Sequence, residues 1–194
     1  MALIIMISVS CNDLLDEPLQ NEQLQEQVDY TQSENMILLL HGAYGEWDNL
    51  QWETFPIISV RGDDVNAAGD QFPLQETDFF RYERNFWMYN STWLNLYNDV
   101  LLFNAAIDNI RLYMENGASE ADGQQYIAEI KVLRAFELLQ LARLWGDIII
   151  PETAEPADLL DLPVSDFDAV MQHIVSEMDE AIPNLPSIRP NQRT

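Results

Sequence analysis

Residues 79–90, FFRYERNFWMYN, interleave aromatic rings with strong hydrogen-bonding groups: Arg81, Tyr82, Arg84, Trp87, Tyr89 and Asn90. Tyrosine and tryptophan join an apolar body to a polar edge, which suits half-exposed positions against a ligand. Phe79, Phe80 and Phe86 lack that edge and are expected to anchor the segment on the structure beneath it. The stretch closes a longer one, residues 48–90, in which no helical periodicity is legible. Connections longer than about a dozen residues are uncommon in compact domains unless they are functional or disordered. Disorder would expose Trp52, Phe55, Phe72 and the rings of residues 79–89 together, so an ordered aromatic-rich loop insertion is predicted. Such a loop on a rigid scaffold is where a ligand is expected.

Other constellations carry less. Asp63 and Asp64 form a carboxylate pair, but adjacent residues rarely point into one site, and glycoside hydrolysis needs two carboxylates separated across a bond. Hydrogen bonding within the loop beside Gly62 accounts for them. The segment from Asp64 has Asp, Asn and Gly at calcium-loop positions, yet Ala68 replaces a ligand and Gln75 replaces the closing glutamate. An EF-hand is rejected, and a looser calcium site stays an open alternative. Asn90-Ser91-Thr92 fits a glycosylation sequon, a motif that recurs by chance. There is no phosphate-binding glycine loop and no nucleophile elbow. One cysteine and two histidines leave no internal disulfide and little for zinc. Neither an enzyme, a cofactor nor a resident metal is expected. With 33 acidic and nine basic residues the net charge is −24, which repels phosphate backbones and anionic lipid alike. Nucleic acid is therefore not an expected partner.

The elements that must position the loop are helical. Thr31-Gln32-Ser33-Glu34 has capping-box form and precedes Met36, Ile37, Leu40, Tyr44 and Trp47 on one face. A second helix is predicted from about Ser91 to Asn116, with Trp93, Tyr97, Val100, Ile107 and Ile110 in a stripe and Gly117 as its stop. Ser119 with Asp122 opens a third, and the short link predicts an antiparallel hairpin. A fourth follows Ser165, with Phe167, Val170, Ile174, Met178 and Ile182 inward and Pro183 near its end. The third helix ends in IKVLRAFELLQLARLWGD, residues 130–147, which sets Arg134 and Arg143 beside an apolar face. Glu137 and Asn104 are the expected partners of Arg134, and the arginine reads as a tie between helices. Gly146 can take the left-handed conformation that ends a helix, and Asp147 can accept from freed backbone donors.

At the other end, MALIIMISVSC is an apolar run too short to span a bilayer as a helix. It looks like the signal and cleavage box of a bacterial lipoprotein, residues 1–10, with Cys11 acylated. Residues 11–30 are acidic and polar, as a solvated tether would be. Residues 31–194 remain as the folded domain.

These features in order resemble the N-terminal part of the SusD/RagB family. The matching residues are Cys11 followed by NDLLDEPL, RGDDV at 61–65, and the Trp93, Tyr97 and Asn104 pattern. The most specific is AEIKVLRAFELLQLARLWGDIII, through Glu129, Leu133, Arg134, Ala135, Arg143, Gly146 and Asp147. IVSEMDEAIPNLP follows. The resemblance implies an all-α fold of tetratricopeptide-like helical hairpins, and a chain that is part of a longer protein. It also implies a lipid-anchored outer-membrane protein, facing the cell exterior, that captures glycans and partners a TonB-dependent, SusC-like transporter. Sugar rings present C–H faces to tryptophan and tyrosine and need paired donors and acceptors for their hydroxyls. On that reading Arg81, Tyr82, Trp87, Tyr89 and Asn90 are the candidate ligand residues. A helical-repeat module that docks a protein or peptide through the same loop is the alternative.

Overall fold

A computed structural model describes residues 28–49, 51–82 and 84–188. Cys11, the signal-like run and nearly all of the tether lie outside them. The described residues from Thr31 onward belong to one compact unit. It contains α1 (Met36–Asn49), α2 (Gln51–Ser59), α3 (Phe72–Asp78), α4 (Trp87–Glu115), α5 (Glu120–Trp145), β1 (Ile148–Ile149), α6 (Pro156–Leu159), β2 (Val164–Ser165) and α7 (Phe167–Ala181).

The frame is the antiparallel hairpin of α4 and α5. Gly117, at φ +99°, turns the chain: its N–H donates to the Met114 carbonyl and that of Ala118 to the Tyr113 carbonyl. This is the paired-bond stop that glycine permits at low steric cost. Ser119 then caps α5 by accepting from the Asp122 N–H at 3.3 Å. Trp93 meets Trp145 and Asn104 meets Arg134, one antiparallel register along the pair. Between the helices and α7 lies a core that includes Leu96, Val100, Leu138, Leu141, Val170 and Ile174. α1 packs on both hairpin helices through the buried Met36, Leu40 and Ala43. The antiparallel hairpin is as the helical periodicity and short link predict, and the all-α, tetratricopeptide-like plan is as the resemblance implies.

Several details differ. α1 enters through a 3-10 turn, Ser33–Asn35, whose N-cap position is Gln32 and not Thr31. The Tyr44 ring is exposed, and its hydroxyl reaches across to Glu129 Oε2 on α5 at 3.1 Å. α4 starts a turn earlier than Ser91. Phe167 and Ile182 face solvent, since they stand at the ends of α7 where the core no longer covers them. Residues 48–90 hold two short helices, not a bare loop. Pro56 inside α2 and the seven-residue length of α3 leave too little periodicity to read.

Arg134 ties the frame together. Its Nε donates to Glu177 Oε2 at 3.2 Å, and its terminal nitrogens reach Glu177 Oε1 and Asn104 Oδ1. Asn104 in turn donates to the carbonyls of Pro151 and Thr153 at 2.9 and 3.1 Å. Its carboxylate is therefore Glu177 of α7 and not Glu137, which points into the core. Gly146 ends α5 at φ +80°, and Asp147 Oδ1 accepts from the Phe167 N–H at 3.1 Å. The side chains of Arg134 and Glu177 are 11% and 7% exposed. Removing one partner of a pair so buried costs about 3–5 kcal/mol. Arg134→Ala should thus lower Tm by roughly 10 °C in a domain of this size, and an unchanged melting curve would show that the tie carries no stability.

Candidate ligand cleft

The antiparallel hairpin sets the start of α4 beside the end of α5, and residues 57–84 wrap across that end. A small core of Ile57, Phe86 and Met88, backed by Leu74, Tyr89 and Leu144, fixes the wrap to the hairpin. Above it opens a cleft of about 320 Å³ bordered by Arg61, Tyr82, Arg84, Tyr89, Asn90 and Trp145, with Ile57 and Leu144 completing its lining. A smaller one of about 280 Å³, lined by Ile58, Arg61, Gly62, Arg143 and Leu144, shares Arg61 and Leu144 with it.

Its rings are braced from below. Tyr89 stands edge-on to Phe86, centroids 5.0 Å apart, and to Tyr82 at 6.3 Å. The Thr77 hydroxyl donates to the Pro73 carbonyl at 2.8 Å, so in the short contact between the two hydroxyls it is Tyr89 that donates. Burial raises the Tyr89 pKa above its ordinary value, keeping the phenol neutral. Trp145 leans edge-on against Trp93, centroids 5.1 Å apart. The Arg61 guanidinium lies over the Tyr82 ring at 5.1 Å, a cation–π geometry. Tyr82 remains 49% exposed.

Of the five residues singled out in the sequence, Tyr82, Tyr89 and Asn90 come together in the cleft. Arg81 lies outside the lining, paired with Glu76 at 2.8 Å and lying over the Phe79 ring. Trp87, half exposed, sits against Phe86 beside the cleft but not in its wall. Of the three phenylalanines expected to anchor the segment, only Phe86 does. Phe79 and Phe80 are solvent-exposed, because α3 ends in a turn that swings them outward. In that turn the Arg81 N–H donates to the Glu76 carbonyl at 2.7 Å and the Phe80 N–H to the Thr77 carbonyl at 3.0 Å. Phe80 is thereby held at φ +56°, a conformation uncommon for a bulky residue. Sequence reasoning missed Arg61 and Trp145 as wall residues. Both stand in segments it had quoted, RGDDV and LWGD, but their convergence depends on the wrap.

No family model matches the chain. A SusD-like protein of Bacteroides ovatus is 25% identical over 145 residues, covering 73% of this chain and 22% of the relative. SusD-like protein P25 of Formosa agariphila is 30% identical over 107 residues, 53% of this chain and 19% of the relative. The chain is similar to SusD-like proteins. A crystal structure with xylogluco-oligosaccharide has the same fold, with a TM-score of 0.65 and 21% identity over 82% of this chain and 32% of that one. The chain spans about a fifth of the length of the curated relatives it matches.

Two buried acids of this domain resemble a catalytic pair on paper. Burial, helped by the charge of Glu46, raises Asp99 from 3.8 to about 7. Burial, helped by Asp99, raises Glu137 from 4.5 to about 8. Neither lines any of the clefts, and Asp99 Oδ2 and Glu137 Oε1 have no hydrogen-bond partner. They belong to the core. An acid with a raised folded-state pKa keeps its proton where the unfolded chain has lost it, so stability falls as pH rises from about 4 toward 8. Glu137→Gln should flatten that fall, raising Tm at pH 8 by more than at pH 5. Parallel curves for the two proteins would show that Glu137 is solvated.

Proposed function

We propose that this SusD-like chain captures glycan at the cell surface and passes it to a TonB-dependent, SusC-like transporter, performing no chemistry on it. The carrying observation is the cleft itself: Tyr82, Tyr89 and Trp145 on a rigid frame, with Asn90 and arginines in hydrogen-bonding reach of anything stacked there. Ring faces take the C–H faces of a sugar, and amide and guanidinium groups fix its hydroxyls. The oligosaccharide in a structure of the same fold supports this reading. Trp87 and Arg81, outside the wall, serve as contacts for a longer chain extending past the cleft.

The same proposal places the protein at the outer membrane through a lipid on Cys11, with residues 1–10 as signal and 11–30 as tether. No described helix is long and apolar enough to cross a membrane. Cys11→Ser should release the protein from membrane fractions, and retention there would remove the anchor from the account.

One observation favours a second reading. Phe79 and Phe80 expose their rings, Phe80 edge-on to Tyr82 at 6.5 Å, an apolar surface of the kind that docks a protein or peptide. Affinity electrophoresis of the Cys11→Ser protein against a polysaccharide panel separates the two. Capture predicts retardation by at least one polymer and, for Tyr82→Ala, affinity at least tenfold weaker with unchanged far-UV circular dichroism. No retardation of a folded protein would move the case to protein docking.

A further inference from the structure

Seven of the nine basic residues lie among the described ones, and they fall into two groups. Arg81, Arg111, Lys131 and Arg134 each pair with a carboxylate. Arg61, Arg84 and Arg143 make no ion pair with any described residue, and these three border the ligand cleft and its smaller neighbour. Among the described residues, no acidic one lines either cleft. The contrast with the polar cleft between α4, α5 and α7 is sharp: there Arg111, Lys131 and Arg134 are matched by Asp108, Glu180 and Glu177.

In a chain with 33 acidic residues, a pocket whose described lining holds arginines and no carboxylate leaves guanidinium donors without an ion-pair partner among the described residues. Arg61 occupies itself weakly, over the Tyr82 ring and at 3.5 Å from the Arg143 carbonyl. Its Nε is buried with no hydrogen-bond partner. Arg143 donates only to the Gln140 side chain, at 3.1 Å. A planar guanidinium is suited to a bidentate bond with a carboxylate or sulfate oxygen pair.

We infer that the cleft takes an acidic sugar, one bearing a carboxylate or a sulfate ester, with Arg61 and Arg84 holding the anion while Tyr82 stacks on the ring. The inference rests on the glycan-capture reading and names its substrate class. A net charge of −24 opposes non-specific capture of a polyanion, so retention of one reports the cleft.

The test is affinity electrophoresis of the Cys11→Ser protein in gels holding polygalacturonate, dextran sulfate, or the neutral polymers dextran, xyloglucan and laminarin. Retardation by an acidic polymer and not by the neutral ones is expected, the two acidic gels telling carboxylate from sulfate. Affinity should fall at least tenfold in Arg61→Gln and in Arg84→Gln, the latter an exposed position where folding is not at stake, and stay unchanged in Arg111→Gln. Retardation by neutral polymers without preference for acidic ones overturns the inference and leaves glycan capture standing. Retardation by acidic polymers that survives both cleft substitutions also overturns it. No retardation by any polymer, with the fold intact, overturns both readings.

Discussion

Arg134 is the constraint on which the rest of the domain depends. One guanidinium joins three elements that are far apart in sequence: α5 by its own backbone, α7 through Glu177 and α4 through Asn104. Asn104 relays the tie to the carbonyls of Pro151 and Thr153. The segment after α5 is thereby laid along the hairpin, where Tyr97 donates to the Ile149 carbonyl at 3.1 Å and the two-residue β1–β2 ladder closes the return to α7. Five donors in one plane are what allow a single side chain to do this. A lysine in its place could not hold the same fork.

That tie also reaches the cleft indirectly. With α4 and α5 locked in register, the start of one and the end of the other form a fixed floor, and Trp145 and Leu144 stand where the 57–84 wrap can fold onto them. Ligand contacts drawn from a wrap are positioned only as well as the scaffold beneath it. Here the scaffold is rigid, its rings are braced edge to face, and the Tyr89 hydroxyl is committed to Thr77. Lys131 and Arg134 pair across α5 and α7, whereas Arg61, Arg84 and Arg143 at the clefts make no ion pair with any described residue.

The frame was legible in the sequence because long amphipathic helices repeat their signal. Ser119, Gly117 and Gly146 punctuate them with residues whose local chemistry has few alternatives, and each does in the structure what that chemistry predicts. The 48–90 region was less legible. Its helices are too short to show a period, one contains Pro56, and its placement rests on contacts with residues eighty or more positions away, as Arg61 with Arg143. Aromatic content marked the region as ordered, but not which rings face inward. Phe79 and Phe80 point outward because of a backbone turn that leaves no signature in composition, while Phe86 is buried. The carboxylate of Arg134 was misassigned for a similar reason. Glu137 is near in sequence, yet Glu177 lies on the helix that packs alongside.

The central claim is that ligand is held where residues 79–92 meet the end of α5. Hydrogen-exchange mass spectrometry of the Cys11→Ser protein, with and without a polysaccharide that retards it, tests this most directly. Slowed exchange in segments covering residues 57–62, 79–92 and 142–147, with the rest unchanged, is the predicted result. Slowed exchange confined to the polar cleft of α4, α5 and α7, or none in the 79–92 segment, would contradict the account.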